Sequence, residues 1–368
     1  MIISQLEKRD RLAFSLVDRS CSRVTNKYIW QTVNIGSESK RNHQIRGLAA
    51  AADVILKDTS RAYHIYELSI HRLENLISLS SDQPNNAETS INKLIQVLHF
   101  TPKLRRLSFT GRRLGRPFAC ALASALSKET FSFQLERIST NISICDGLED
   151  FFTKQPSIRS WKQLYDPQTA MKPLYIPNNI FPNLESVGDL PVSAILEMAN
   201  GRKLQCVSTS TGLDQDVDRL IDGLVSSTSR MSLRSIHFSS DEMSAMATLL
   251  SRLPIELPEL ETLDVKFYNS SITAWDWDPF MFESMVEFKR LHEFRWTGDS
   301  IPETLWNPEN YCNTELRRVE LVLEKGKEGD VVEVFTRTSE RSRWRLIELK
   351  SRARSSYFPY VQLCSYLI

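Results

Sequence analysis

Along this chain an apolar residue, two polar ones, an apolar one, a polar one and an apolar one recur as a six-residue unit. The unit reads Leu104-Arg105-Arg106-Leu107-Ser108-Phe109, then Leu233-Arg234-Ser235-Ile236-His237-Phe238. It returns as Leu260-Glu261-Thr262-Leu263-Asp264-Val265, Leu291-His292-Glu293-Phe294-Arg295-Trp296 and Leu316-Arg317-Arg318-Val319-Glu320-Leu321. Weaker copies start at Ile65, Leu135, Ile158, Leu184, Leu204 and Trp344. Alternation within each copy predicts a short strand. Between the copies lie apolar stripes at helical spacing. Ile91, Leu94, Ile95 and Leu98 form one, stopped by Thr101-Pro102; Val217, Leu220, Ile221 and Leu224 form another. Met243, Met246, Leu249, Leu250 and Leu253 form a third, which Pro254 should stop. Phe280, Met285 and Phe288, and then Val331, Val334 and Phe335, continue the series. A further helix is expected over Leu48–Leu56.

The copies at 65 and 344 stand ten steps apart, a mean step of about 28 residues, which lies within the range of leucine-rich repeats. The expected fold is therefore an α/β leucine-rich-repeat solenoid, with a curved parallel sheet inside and helices outside. In such an array each unit buries its apolar side only against its neighbours. The array should occupy residues 65–368 as about 10–11 repeats, closed by an apolar cap at Tyr357–Ile368, with a linker and capping helix at 36–64. The asparagine that many such repeats place eight residues after the first leucine is missing: Arg112, Asp241, Tyr268 and Asp299 stand there. An irregular solenoid follows from that. Residues 78–90 read as a polar surface insertion, the proline-bearing stretch 163–182 lacks a clear helix, and 266–280 form a long aromatic loop.

Composition narrows the function. With 46 basic and 45 acidic residues the formal charge is +1, so no global field favours nucleic acid or an anionic membrane. No apolar run approaches membrane-spanning length, and the start, Met1 to Asp10, turns charged at once. These features point to a cytoplasmic or nuclear protein. Six scattered cysteines and six histidines form no ligand cluster, so neither metal nor cofactor is expected. No phosphate loop, dinucleotide fingerprint or nucleophile elbow occurs, and a non-catalytic protein is expected. A less favoured enzyme reading would use the loop Trp275-Asp276-Trp277-Asp278.

Binding is the better-supported function. Side chains alternate along a strand, so the first, fourth and sixth positions of each copy should enter the core and the second, third and fifth should face outward. The outward set includes Arg105, Arg106, Arg137, Arg234, His237, Asp264, His292, Arg295, Arg317 and Arg318. A parallel ladder of such residues is a broad surface suited to a protein target, and Arg is a frequent interface anchor. Trp275, Trp277 and Trp306 are either candidate anchors beside it or, as an equal alternative, residues packed against the solenoid.

The N-terminal segment differs from the array. Asp10-Arg11-Leu12, Leu16-Val17, Arg19-Ser20, Arg23 and, after Tyr28-Ile29, Trp30 occupy the places of an F-box motif. In that motif an Asp-Leu pair precedes a Leu-Val-Cys/Ser-Arg helix and a Trp closes it. The Leu-Pro that opens the family motif does not precede Asp10. Residues 2–35, joined to a leucine-rich array, resemble the F-box/leucine-rich-repeat proteins of fungal type. The resemblance implies a substrate-receptor subunit of an SCF-type (Skp–cullin–F-box) ubiquitin ligase. Leu6, Leu12, Leu16, Val17, Ile29 and Trp30 would dock or support a Skp-type adaptor, and the repeats would hold an unknown target protein. The alternative is a leucine-rich interaction scaffold with no ubiquitin role.

Overall fold

Each recurring unit is a strand, and successive strands lie parallel in the computed structural model. The structure describes residues 21, 24–25, 28–35, 48–71, 85–110, 116–142, 147–163, 176–177, 179–211, 213–269, 271, 277, 279–302, 305, 315–324, 330–336 and 345–351. The chain divides into two compact units, residues 1–210 with 222–233, and 211–221 with 234–368.

The first unit contains β1 (Thr32–Ile35), α1 (Leu48–Leu56), α2 (Thr59–Ala62), β2 (Glu67–His71), α3 (Asn85–His99), β3 (Arg106–Thr110) and α4 (Arg116–Lys128). It continues with β4 (Arg137–Thr140), α5 (Glu149–Thr153), β5 (Ser160–Gln163), β6 (Ser186–Gly188), α6 (Val192–Ala199) and β7 (Cys206–Ser210). The helix α7 (Asp214–Ser226) contributes residues to both units. The second unit holds β8 (Ser235–Ser240), α8 (Met243–Glu256), β9 (Thr262–Phe267), a 3-10 helix (Pro279–Glu287) and β10 (Glu293–Gly298). It ends with β11 (Arg318–Glu324), β12 (Asp330–Thr336) and β13 (Arg345–Ser351). Within each unit the strands pair in chain order.

One hydrogen-bond device repeats at the parallel rungs within each unit. The carbonyl of the second residue of a copy accepts two N–H groups, from the second and third residues of the next copy. Tyr66 O accepts from Arg105 and Arg106 at 2.9 and 3.1 Å, and Arg105 O accepts from Glu136 and Arg137 at 2.8 and 3.0 Å. Glu136 O, Arg159 O and Glu185 O continue the pattern in the first unit, and Arg234 O, Glu261 O and His292 O in the second. These bonds fix the register, which stacks the fourth residues of the copies in a column: Leu68, Leu107, Ile138, Trp161, Val187 and Val207. In the second unit Ile236, Leu263, Phe294 and Val319 stack in the same way. All ten are at most 3% exposed, and each contributes about 1.5–3 kcal/mol by leaving water. The helical stripes close the other side of this core, with Leu94, Leu98, Val217, Leu220, Ile221, Leu224, Met246, Leu249, Leu250 and Leu253 all buried.

Buried polar side chains satisfy backbone groups at both ends of the strands. Gln155 Oε1 accepts from Leu135 N at 2.8 Å, and Ser229 Oγ accepts from Leu204 N at 3.0 Å. Thr209 Oγ1 donates to Leu190 O at 3.0 Å, and Thr140 Oγ1 accepts from Ile142 N at 2.9 Å. Each satisfies a backbone group that burial would otherwise leave without a partner.

Four expectations need correcting. The helix α8 does not stop at Pro254 but runs to Glu256. A proline there has no N–H for the carbonyl of Leu250, and Ser284 Oγ from the 3-10 helix donates to that carbonyl instead, at 3.0 Å. Asn85–Ser90, expected in a polar insertion, are the first turns of α3, where Glu88 suits a helix N-terminus. Val331, Val334 and Phe335 lie on a strand, and β12 pairs antiparallel with β11 and β13. The copy expected at Trp344 therefore is not a parallel rung. The reason is length: residues 325–329 and 337–344 are too few for a parallel crossover, which takes a dozen or more. The expected C-terminal cap at Tyr357–Ile368 lies outside the described residues.

The Pro254 arrangement is testable by a double-mutant cycle in urea. Ser284→Ala is expected to cost about 1–2 kcal/mol, because Leu250 O loses its donor. In a Pro254→Ala background, where the helix can supply the N–H, the same substitution should cost markedly less.

Candidate protein-binding face

In each unit the register that buries the fourth and sixth residues turns the third and fifth to the opposite face of the strands, and the second, which precedes the strand, lies at least partly exposed beside them. There, like positions of adjacent copies meet across strands. The second-position column brings Arg105 to Glu136 at 3.8 Å, Arg159 to Glu185 at 3.5 Å and Arg234 to Glu261 at 3.2 Å. The third-position column brings Arg106 to Glu67 at 3.5 Å and Arg318 to Glu293 at 3.2 Å. The fifth brings His237 Nδ1 to Asp264 at 3.1 Å and Arg295 to Glu320 at 3.6 Å. Arg318 also reaches Glu320 at 2.8 Å, and Arg317 reaches Glu315 at 3.7 Å.

Nearly all the sequence-predicted target-binding residues are thus members of ion pairs or, for His237 with Asp264, of a hydrogen bond. Arg137 and His292 are exposed there with no ion pair among the described residues. The carboxylates matter as much as the cations that drew notice first. Asp264 and Glu320 have side chains only 13% and 14% exposed, against 37% for His237 and 40% for Arg295. A signal for the pairs was present: lined up, the second column reads Arg105, Glu136, Arg159, Glu185 and, later, Arg234, Glu261. Alternating sign at one position of successive copies is what a cross-strand ladder needs. The result is a nearly neutral face of fixed donors and acceptors, each exposed pair worth at most about 1 kcal/mol.

Of the aromatic candidates, Trp277 takes the packed alternative. It is 5% exposed and packs edge-on against Phe267 and Trp296, with ring centroids 4.7 and 5.0 Å away. A ring this large gains more from such an aromatic cluster than from solvent. Trp275, Asp276, Asp278 and Trp306 lie outside the described residues. No group of three or more potential metal ligands occurs among the described residues, and no described helix is long and apolar enough to cross a membrane.

Of the expected adaptor-docking set, Leu6, Leu12, Leu16 and Val17 lie outside the described residues. Ile29 and Trp30 are half-buried. Trp30 lies under the guanidinium of Arg61, 5.1 Å from the ring centroid, and Arg61 is held by Asp58 at 3.0 Å. Asp58 in turn caps α2, accepting from Ser60 N at 3.2 Å and Ser60 Oγ at 2.5 Å. Two residues after Trp30 the chain enters β1, which pairs in parallel with β2.

Comparison with known proteins adds little to this geometry. No family model matches the chain, and no curated protein matches it. Among solved structures, the chain is similar to a crystal structure of a TLR13–ssRNA13 complex at 13% identity, with a TM-score of 0.29. The similarity covers 73% of this chain and 30% of that one. At that TM-score it carries no argument; the leucine-rich-repeat fold rests on the rungs and the register.

Two outcomes are expected here. A double-mutant cycle of Arg234→Ala and Glu261→Ala, read by urea unfolding, should return a coupling under about 1 kcal/mol. The second concerns Asp58, whose carboxyl is held below its ordinary value of 3.8 by the Ser60 hydroxyl, against desolvation, and by the charge of Arg61. A depressed carboxylate stabilises the fold above its unfolded-state value and ceases to do so as pH falls through the lower folded-state value. The melting-temperature gap between wild type and Asp58→Asn should therefore be present at pH 7 and close in acid below 3.8.

Proposed function

We propose that this chain is a non-catalytic recognition subunit whose repeats bind a protein and whose N-terminal segment docks a Skp-type adaptor of an SCF-type ubiquitin ligase. The observation that carries the protein-binding half is the polar face of the strands in each unit. Its side chains are fixed in cross-strand columns on a hydrogen-bonded sheet, so little rotamer freedom remains to be lost on binding. Mixed charge in a set pattern favours selectivity for a complementary protein surface over general attraction to polyanions. Such a face has a recognition role, and the partner is chosen by which half-exposed charges it can re-pair.

The adaptor half is supported by the resemblance of residues 2–35 and by continuity. The segment ends in Trp30 and β1, and β1 pairs with β2, so a partner held there would be in fixed relation to the first unit. The short helices implied for the segment would bury apolar residues against the partner's helices.

Co-purification tests this. A Skp-type adaptor is expected to accompany the tagged full chain and to be lost from Leu16→Asp, with the thermal melting of the chain unchanged. An adaptor absent from the wild-type chain would leave the repeats as an interaction scaffold outside the ubiquitin system.

A further inference from the structure

The first unit carries a groove of about 880 Å³ beside the ladder, where second-position residues meet the turns that enter β5, β6 and β7. Its charged lining consists of Arg105, Arg159, Arg202 and Lys203 against Glu136 and Glu185. The two carboxylates are already engaged by Arg105 and Arg159. Arg202 and Lys203 have no ion pair among the described residues, so the groove keeps an excess of positive charge.

Arg202 is the unusual member. It is 4% exposed. Its Nε donates to Phe181 O at 3.3 Å, and its Nη2 donates to Pro177 O and Ile180 O at 3.1 and 2.9 Å. These carbonyls orient the guanidinium without neutralising it, and Nη1 has no hydrogen-bond partner. Burial pushes its pKa below the ordinary arginine value, with Glu197 opposing. A buried cation with an idle donor is costly, and an anion beside it offsets that cost. Lys203, next in sequence, is exposed at the same wall.

We propose that this groove holds an oxyanion, a carboxylate or a phosphate, presented by a partner polypeptide, with Lys203 as the outer contact and the Arg202 charge behind it. The inference rests on reading the repeats as protein-binding. A polypeptide fits better than a nucleic acid for two reasons on the groove wall. No aromatic side chain lines it to stack a base, and Glu136 and Glu185 would repel a continuous phosphate backbone while tolerating a single acidic side chain.

Fluorescence anisotropy on the full chain tests this with fluorescein-labelled decapeptides of Gly and Ser carrying a central Glu pair, a central phosphoserine or a central Gln pair. A ten-nucleotide uridine RNA completes the set. At least one acidic peptide is expected to saturate, with the Gln peptide at least about tenfold weaker. The tighter of the glutamate and phosphoserine peptides identifies the oxyanion. Lys203→Glu should weaken that peptide by about tenfold with melting unchanged. Arg202→Met should abolish binding, and Lys203→Glu keeps the test valid if that variant does not fold. Equal binding of the Gln peptide, tighter binding of the RNA, no saturation by either acidic peptide, or an unaffected Lys203→Glu variant each overturns the proposal. Lys203→Glu should retain the Skp-type adaptor. A wild-type chain that brings down the adaptor but is saturated by neither acidic peptide therefore counts against the groove alone, and a wild-type chain that binds the peptide but brings down no adaptor counts against the ligase reading alone.

Discussion

A single carbonyl per copy, accepting two N–H groups from the next copy, is the constraint on which the rest of this structure depends. It ties the second residue of one strand to the second and third of its neighbour, as Arg105 O does for Glu136 and Arg137. Once that register is set, side chains with a period of two have no further choice. The column through Leu107, Ile138 and Trp161 must enter the core, and the column through Arg106, Arg137 and Ser160 must face outward. A slip of one residue would exchange the two faces, and the apolar column would oppose it. The core and the ion-pair ladder are two consequences of one hydrogen-bond pattern.

The two consequences differ in weight. The buried columns and the helical stripes carry the stability. The exposed pairs between Arg234 and Glu261, or Arg106 and Glu67, contribute little each. What the pairs do is remove net charge from a face otherwise crowded with arginine. That suits recognition of a patterned protein surface, and it makes the uncompensated cations at the groove of the first unit stand out.

Much of this was legible in local pattern. Leu104, Leu107 and Phe109 announce a core-facing edge through spacing alone, and Val217, Leu220, Ile221 and Leu224 announce a buried helix face in the same way. Pro254 misled because the rule that proline ends a helix assumes that the freed carbonyl finds no other donor. Ser284, thirty residues on, supplies one. Val331, Val334 and Phe335 misled because their spacing suits a helix, while the short, glycine-bearing connection before them allows only a hairpin. For Trp277, in an aromatic loop, the sequence left anchor and packed side chain equally open, and only Phe267 and Trp296 decide for the core.

The sequence by itself determined which residues of each copy are buried and which are outward, because that choice depends on a period of two or of 3.6 within a short window. Tertiary structure alone decided which outward charges are neutralised, as when Glu320 meets both Arg295 and Arg318. It also decided that Gln155 and Ser229 satisfy the N–H groups of Leu135 and Leu204, and that Arg202 is buried facing three carbonyls with one donor idle. Those outcomes depend on partners roughly one repeat apart along the chain, brought together by the backbone rungs, and no local pattern encodes the identity of a residue that far away.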